Sequence, residues 1–283
     1  MHSRQTTDPI LLRQIAIDIR HSVITSLAEA KSGHLGGSLG LADIFTALYF
    51  SVLNHDPLHS LWPSRDRVVL SIGHVAPVLY ATLAHYGYFP VEELKTLRKL
   101  GTRLQGHPGR DHGLPGLELS AGSLGQGLSV AVGMALAAKM DHLSHNIYSI
   151  HGDGELQEGS IWEAAMSASH HKLDNLIAIV DRNGLQIDGK TEDVMRIEPL
   201  SDKWSSFGWK VIHCDGNDII QILKAFAEAS ITQGMPTVII AKTIMGKGIR
   251  SIEGDYKWHG KVPAMEQVAG FLEELHNMGL KPI

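Results

Sequence analysis

Two stretches decide the fold: Ile150-His151-Gly152-Asp153-Gly154-Glu155, and Leu176-Ile177-Ala178-Ile179-Val180 running into Asp181-Arg182-Asn183-Gly184-Leu185-Gln186-Ile187-Asp188-Gly189. Each is a short continuous apolar run that stops in a glycine-rich polar turn, as strands buried on both faces do in a parallel sheet. Between them Gly159 to His171 reads as a helix, so the unit is strand, helix, strand, with an Asp just past one strand end and an Asn just past the next. In an open parallel sheet, ligands bind in the crevice beyond the carboxyl ends of the strands. An Asp carboxylate and an Asn amide oxygen suit a hard cation such as Mg²⁺, which takes one or two such ligands plus phosphate oxygens and water. Gly152 and Gly154 would let a diphosphate approach the backbone. Either turn alone is an ordinary connection, since Gly-Asp-Gly and Asn-Gly are common turn sequences. Their pairing across one strand-helix-strand unit is more specific.

Outward from this unit the alternation continues. Asp8-Pro9 looks like an N-cap and first helical residue, with Ile10, Leu11, Ile15, Ile19, Val23 and Leu27 at helical spacing through to Lys31. Ser32 to Ser38 is expected to break the chain out of helix, which Leu41 to Leu53 resumes. Strands are expected at 67–71, 147–150, 176–180, 210–213 and 237–241, with helices at 77–85, 91–100, 128–140, 159–171, 199–207 and 218–231. The fold class is therefore α/β, a parallel sheet with helices on both faces, and residues 1–283 are expected to form one domain. Neither internal repeat nor charge block marks a boundary.

Composition narrows the function. With 25 Lys+Arg against 30 Asp+Glu the net charge is −5, which argues against nucleic-acid binding. Hydrophobic residues at 43% and charged residues at 19% suit a compact soluble domain. The single cysteine, Cys214, cannot form an intrachain disulfide, which fits a reducing, cytoplasmic setting. The stretch from Met1 to Pro9 has no apolar run like a signal peptide's, and no run spans a bilayer. The 17 histidines include three beside glycine in loops, His34, His74 and His107. With an unperturbed pKa of about 6.5, such imidazoles can exchange protons near neutral pH.

The paired turns resemble the signature of thiamine diphosphate enzymes, which opens on Gly-Asp-Gly and closes on Asn, as Gly152 to Asn183 does here. More narrowly, the chain resembles the N-terminal, diphosphate-binding half of transketolase. Ser32-Gly33-His34, Ser71-Ile72-Gly73-His74, Gly106-His107-Pro108, Gly122-Ser123-Leu124-Gly125-Gln126-Gly127, Gly152-Asp153-Gly154-Glu155, Ala241-Lys242-Thr243 and Trp258-His259-Gly260-Lys261 follow the family's order. The resemblance implies Asp153 and Asn183 as side-chain ligands of Mg²⁺ and Leu185 as a backbone carbonyl ligand. It implies cofactor contacts from Gly154, Asn183, His74, Gly122, Ser123 and Leu124, with His259 close to cofactor and substrate. His34 and His107 would hold the oxygens of a donor ketose. Glu158 and Glu163 match carboxylates that link paired active sites across a dimer interface, against the plainer reading of a solvated helix face. His85, His142, His145 and His170 are read as ordinary polar residues, and Lys242 and Lys247 as weak phosphate candidates.

Three positions depart from the family's pattern. Leu35 replaces a proline that commonly follows the first histidine, while Ile72 and Met245 stand where relatives carry lysine. The chain also ends soon after the family's first domain, so the pyrimidine-binding half, with its activating glutamate and much of the sugar-phosphate grip, is expected from another polypeptide. The resemblance thus implies the N-terminal subunit of a split transketolase, transferring a two-carbon ketol unit between sugar phosphates, paired with a C-terminal subunit in an α2β2 assembly. The alternatives are another thiamine diphosphate-dependent ketol transferase acting on an unusual sugar, a deoxyxylulose-phosphate synthase, and a non-catalytic remnant or regulator that binds the cofactor. A Rossmann dehydrogenase is set aside, since Gly122-Ser123-Leu124-Gly125-Gln126-Gly127 follows no convincing strand.

Overall fold

Continuous apolar strands need cover on both faces, and the chain supplies it. The computed structural model describes residues 5–279, so the reading of the N-terminal stretch falls in part, at residues 1–4, outside the described residues. The strands are β1 (Arg67–Leu70), β2 (Ile147–Gly152), β3 (Leu176–Arg182), β4 (Leu185–Gln186), β5 (Gly189–Lys190), β6 (Lys210–Asp215) and β7 (Thr237–Lys242). The helices are α1 (Pro9–Ala30), α2 (Leu35–Gly40), α3 (Ala42–Ala47), α4 (Ala76–Tyr86), α5 (Gly127–Met140), α6 (Gly159–His170), α7 (Thr191–Val194), α8 (Leu200–Ser206), α9 (Ile219–Ser230) and α10 (Met265–Gly279).

Five strands form a parallel sheet in the order β1-β2-β3-β7-β6, and β4 and β5 make a small antiparallel hairpin. Alternate residues feed two separate cores. Ile177 and Ile179 of β3, Ile150 of β2 and Ile239 of β7 pack with residues of α1, α3, α4 and α9 on one face. Leu176, Ala178 and Val180 of β3, with Val238 and Ile240 of β7, pack with residues of α5, α6 and α8 on the other. This two-sided burial is why the strands read as unbroken apolar runs.

The sheet expectations hold, with each strand end shifted by at most a few residues. The α1 start also holds: Asp8 Oδ1 accepts from Ile10 N at 2.9 Å, and Pro9 is the first helical residue. Three helical expectations need correction. The glycine-rich stretch is helical from Leu35 to Gly40, because its glycines serve close packing rather than chain breaking. A β-carbon on Gly36 would lie 2.6 Å from Met245 Cγ and 2.9 Å from the Trp258 carbonyl oxygen. The single helix expected over 41–53 divides into α3 and a π-helical turn at Leu48–Val52. The helix expected over 91–100 is a 3₁₀ turn at Val91–Thr96, ended where Arg98 takes φ 61° and its N–H turns away to the Leu104 carbonyl at 2.8 Å. The hairpin β4–β5, α7 and α10 are additions to the expected elements. No helix among the described residues is long and apolar enough to cross a membrane.

Candidate cofactor and substrate site

The parallel register sets β2 and β3 side by side, with Gly152 opposite Asp181, so their carboxyl-end turns meet. Asp153 is buried there as the N-cap of a 3₁₀ turn, Gly154–Gln157. Its carboxylate accepts from Gly184 N at 2.6 Å, Gly154 N at 2.8 Å and Arg182 Nη1 at 3.0 Å. The bond from Gly184 draws the Asn183–Leu185 turn against Asp153, and Gly184 needs its freedom there, at φ 78°. Asn183 Oδ1 accepts from Leu185 N at 2.9 Å, while its amide donates to Asp181 Oδ2 at 3.0 Å.

Charge is concentrated under this turn. Burial raises the Asp153 carboxyl above its usual range, opposed by the Gly184 N–H and the Arg182 guanidinium. Asp181 is pushed up to about 7 by burial and by the Asp153 charge, against hydrogen bonds from the Thr243 hydroxyl and Asn183. Arg182 bridges Asp153 to Glu198 at 2.9 Å and Glu192 at 3.3 Å, anchoring the loop beyond β3.

A cluster of imidazoles forms a second group of candidate site residues. The His34 and His74 rings lie 5.0 Å apart, His74 and His259 5.1 Å, and His34 and His259 5.5 Å. Four segments distant in sequence deliver them: the end of the loop into α2, the turn after β1, the loop after β7, and for His107 the loop beyond Arg98. A β-carbon on Gly122 would lie 3.9 Å from the His107 ring, placing the exposed Gly122-Ser123 turn beside it. Burial first, then the neighbouring His259, lowers His34 to about 4 and His74 to about 3. Burial also lowers His107 and His259. The cluster is therefore a set of neutral imidazoles at physiological pH, each offering one N–H donor and one acceptor nitrogen.

The structure thus brings Asp153, Gly154, Asn183 and Leu185 into one group and His34, His74 and His259 into another, with His107 beside Gly122. Leu124 is half-buried in the same turn. Glu158, the N-cap of α6, and Glu163 are exposed on that helix's first turns, and the Glu158 side chain packs under the Gly125 turn. The departing residues Leu35, Ile72 and Met245 are all buried as core. His85 bonds Ser22 Oγ at 2.9 Å, and the His170 ring meets His171 edge-on at 4.9 Å.

Sequence reasoning gave no role to Arg98 or Glu155, and marked Asp181, Arg182 and Thr243 only as residues just past strand ends. Arg98 lies between the His34 and His107 loops, donating to Ser32 Oγ at 2.7 Å, with its guanidinium where a Gly106 side chain would be. The glycines at 33 and 106 were the available signal, because they leave that space open.

A divalent cation with a diphosphate fits these donors: one buried carboxylate, one amide oxygen and one carbonyl, all oxygens, on turns whose backbone is open. Among the described residues no cluster of three or more His, Cys, Asp or Glu side chains forms a metal-holding group, and this donor set is of a different kind, completed by phosphate and water.

Residues 12–282 match the family described as transketolase, thiamine diphosphate binding domain. The chain is 46% identical to the 6-deoxy-6-sulfo-D-fructose transketolase subunit SqwG of Clostridium sp. (strain MSTE9), over 92% of this chain and 94% of that one. It is 45% identical to an apulose-4-phosphate transketolase subunit of Actinobacillus succinogenes, over 93% and 95%. Transketolase from Campylobacter jejuni superposes with a TM-score of 0.88 at 36% identity, covering 94% of this chain but 43% of that one. The chain therefore spans under half the length of such full-length relatives. Matched over residues 12–282 by the family model and over nearly its whole length by these relatives, the chain belongs to the transketolase family and carries that family's thiamine diphosphate-binding domain.

Proposed function

We propose that this chain is the N-terminal subunit of a split transketolase, working with thiamine diphosphate and Mg²⁺ and with a C-terminal, pyrimidine-binding subunit supplied in trans. The observation that carries the reading is the junction of the Asp153 and Asn183–Leu185 turns at the carboxyl ends of β2 and β3, with the His34–His74–His259 cluster assembled from the loops into α2, after β1 and after β7. Match over nearly the whole length of two relatives named as transketolase subunits supports the division of labour.

Asp153, the Asn183 amide oxygen and the Leu185 carbonyl would hold Mg²⁺, and Gly154, His74 and the Gly122-Ser123-Leu124 turn would line the cofactor. When bound, thiamine diphosphate supplies the nucleophilic carbon that carries a two-carbon ketol unit from a ketose to an aldose. The chain's own task is to bind and orient. His34 and His107 would hold the hydroxyl and carbonyl oxygens of the sugar, and a neutral imidazole can take a hydroxyl proton at one nitrogen while donating from the other. His259, packed against His34 and His74, would face both cofactor and substrate. Glu158 and Glu163, exposed on α6, would meet a second copy in an α2β2 assembly.

A second reading keeps the chemistry and changes the sugar. The names of the subunit-sized relatives specify a sulfonated ketose and apulose 4-phosphate, which favours a less common ketose over the usual pentose phosphates. The test is a ketol-transfer assay on the chain together with its C-terminal partner, across a panel of ketose donors. Turnover that requires thiamine diphosphate, Mg²⁺ and both chains supports the proposal. Full turnover without added or bound cofactor overturns it.

A further inference from the structure

The buried carboxylate of Glu155 joins three segments that are far apart in sequence. It lies two residues beyond Asp153 and is 2% exposed. Its Oε1 accepts from Gly125 N at 2.8 Å and from the Ser71 hydroxyl, while Oε2 accepts from His151 Nδ1 at 3.1 Å and Gly152 N at 3.3 Å. Ser71 Oγ in turn accepts from Gly127 N at 3.0 Å, satisfying the first amide of α5 from across the chain. His151 is itself fixed, with Nε2 2.7 Å from Ser149 Oγ.

Each tied segment ends in a residue already placed at the cofactor. Ser71 precedes Gly73-His74, Gly125 follows Gly122-Ser123-Leu124, and Gly152 precedes Asp153. Close approach is built in: a β-carbon on Gly127 would collide with the Ser71 side chain, and Gly125 sits at φ 82° against Glu158 and Ser160. A carboxylate in the interior is costly unless its lone pairs are met. Here four donors meet it, so the charge holds loops in register rather than serving a single ion pair.

We propose that Glu155 is a positioning residue that assembles the cofactor-binding turns before the cofactor arrives, an assignment that rests on the functional reading of the site. Glu155, its carboxylate taken up by Ser71, Gly125, His151 and Gly152, acts by fixing the amides of Gly125, Gly127 and Gly152 so that the 122–124 turn faces the diphosphate turn. The carboxylate is suited to this role because it only accepts. Replacing it with an amide of the same shape turns an NH₂ group toward the donors from His151 and Gly152.

The test uses Glu155→Gln and Ser71→Ala in the full chain, with two readouts. Hydrogen exchange of the cofactor-free proteins should show faster exchange at Gly125 and Gly127 in both variants. Saturating thiamine diphosphate and Mg²⁺ should then restore protection. Titration should show cofactor binding weakened by about tenfold or more in Glu155→Gln and by a smaller factor in Ser71→Ala, as expected for losing one or two charge-assisted bonds. If Glu155→Gln does not fold, the same measurements on Ser71→Ala decide the matter. A folded variant with native exchange at these glycines and native cofactor affinity overturns the proposal. Native protein that binds no cofactor even with its C-terminal partner present would overturn the functional reading instead, while exchange in the cofactor-free proteins would still test the tie.

Discussion

The His74 ring should make the protein's stability fall in mild acid by an amount that can be calculated. Burial, then His259, His34 and His107, hold its folded pKa at about 3, against about 6.5 in an unfolded chain. The depressed value means that the unfolded state binds the extra proton between those limits, so stability is full above pH 6.5 and drains away as pH falls toward 3. At about 1.36 kcal/mol per pH unit, a fall from pH 6.5 to pH 5 removes about 2 kcal/mol. Other groups titrate in the same window, and Asp181, raised to about 7, pushes the opposite way, because its protonation favours the folded state. The comparison must therefore be differential. In His74→Gln the group is gone, while the burial and hydrogen-bonding capacity of the site are largely kept. Urea unfolding followed by fluorescence of the five tryptophans, at pH 7 and pH 5, measures both proteins. The native protein should lose about 2 kcal/mol more than the variant between those two pH values. Parallel losses would refute a buried, neutral His74.

Two further outcomes follow from the same geometry. Asp153→Ala should weaken Mg²⁺-dependent thiamine diphosphate binding by more than about a hundredfold in calorimetric titration, while Arg182 keeps its bonds to Glu198 and Glu192 and the fold persists; unchanged affinity would remove Asp153 from the metal site. Asp43→Ala should cost about 3 to 5 kcal/mol of unfolding free energy, because it strands the buried Arg20 guanidinium, which Asp43 meets at 2.5 and 3.1 Å; a loss below about 1 kcal/mol would mean that the pair is solvated.

What the sequence revealed and what it hid have separate physical causes. The sheet was legible because strands covered on both faces are mostly apolar, most cleanly from Leu176 to Val180. The cofactor turns were legible because their function needs glycine beside a fixed polar residue, and local sequence records that need. The ties between loops were not. Glu155 serves Gly125 and Ser71, partners 30 and 84 positions away, and nothing in its own neighbourhood announces them. Glycine was also misleading where it served packing: Gly36 and Gly40 allow α2 to lie against Met245 and Ile244, yet composition alone reads as a loop. Helix α10 was missed although Val268, Phe271, Leu272 and Leu275 recur at helical spacing and pack on the core.

The central claim is that this chain supplies one half of a thiamine diphosphate site whose other half is a separate polypeptide. Native mass spectrometry of the chain, purified gently from its own cells in buffer holding thiamine diphosphate and Mg²⁺, tests it most directly. Recovery with a second chain and bound cofactor is the predicted result. Recovery of the chain alone and cofactor-free would contradict it.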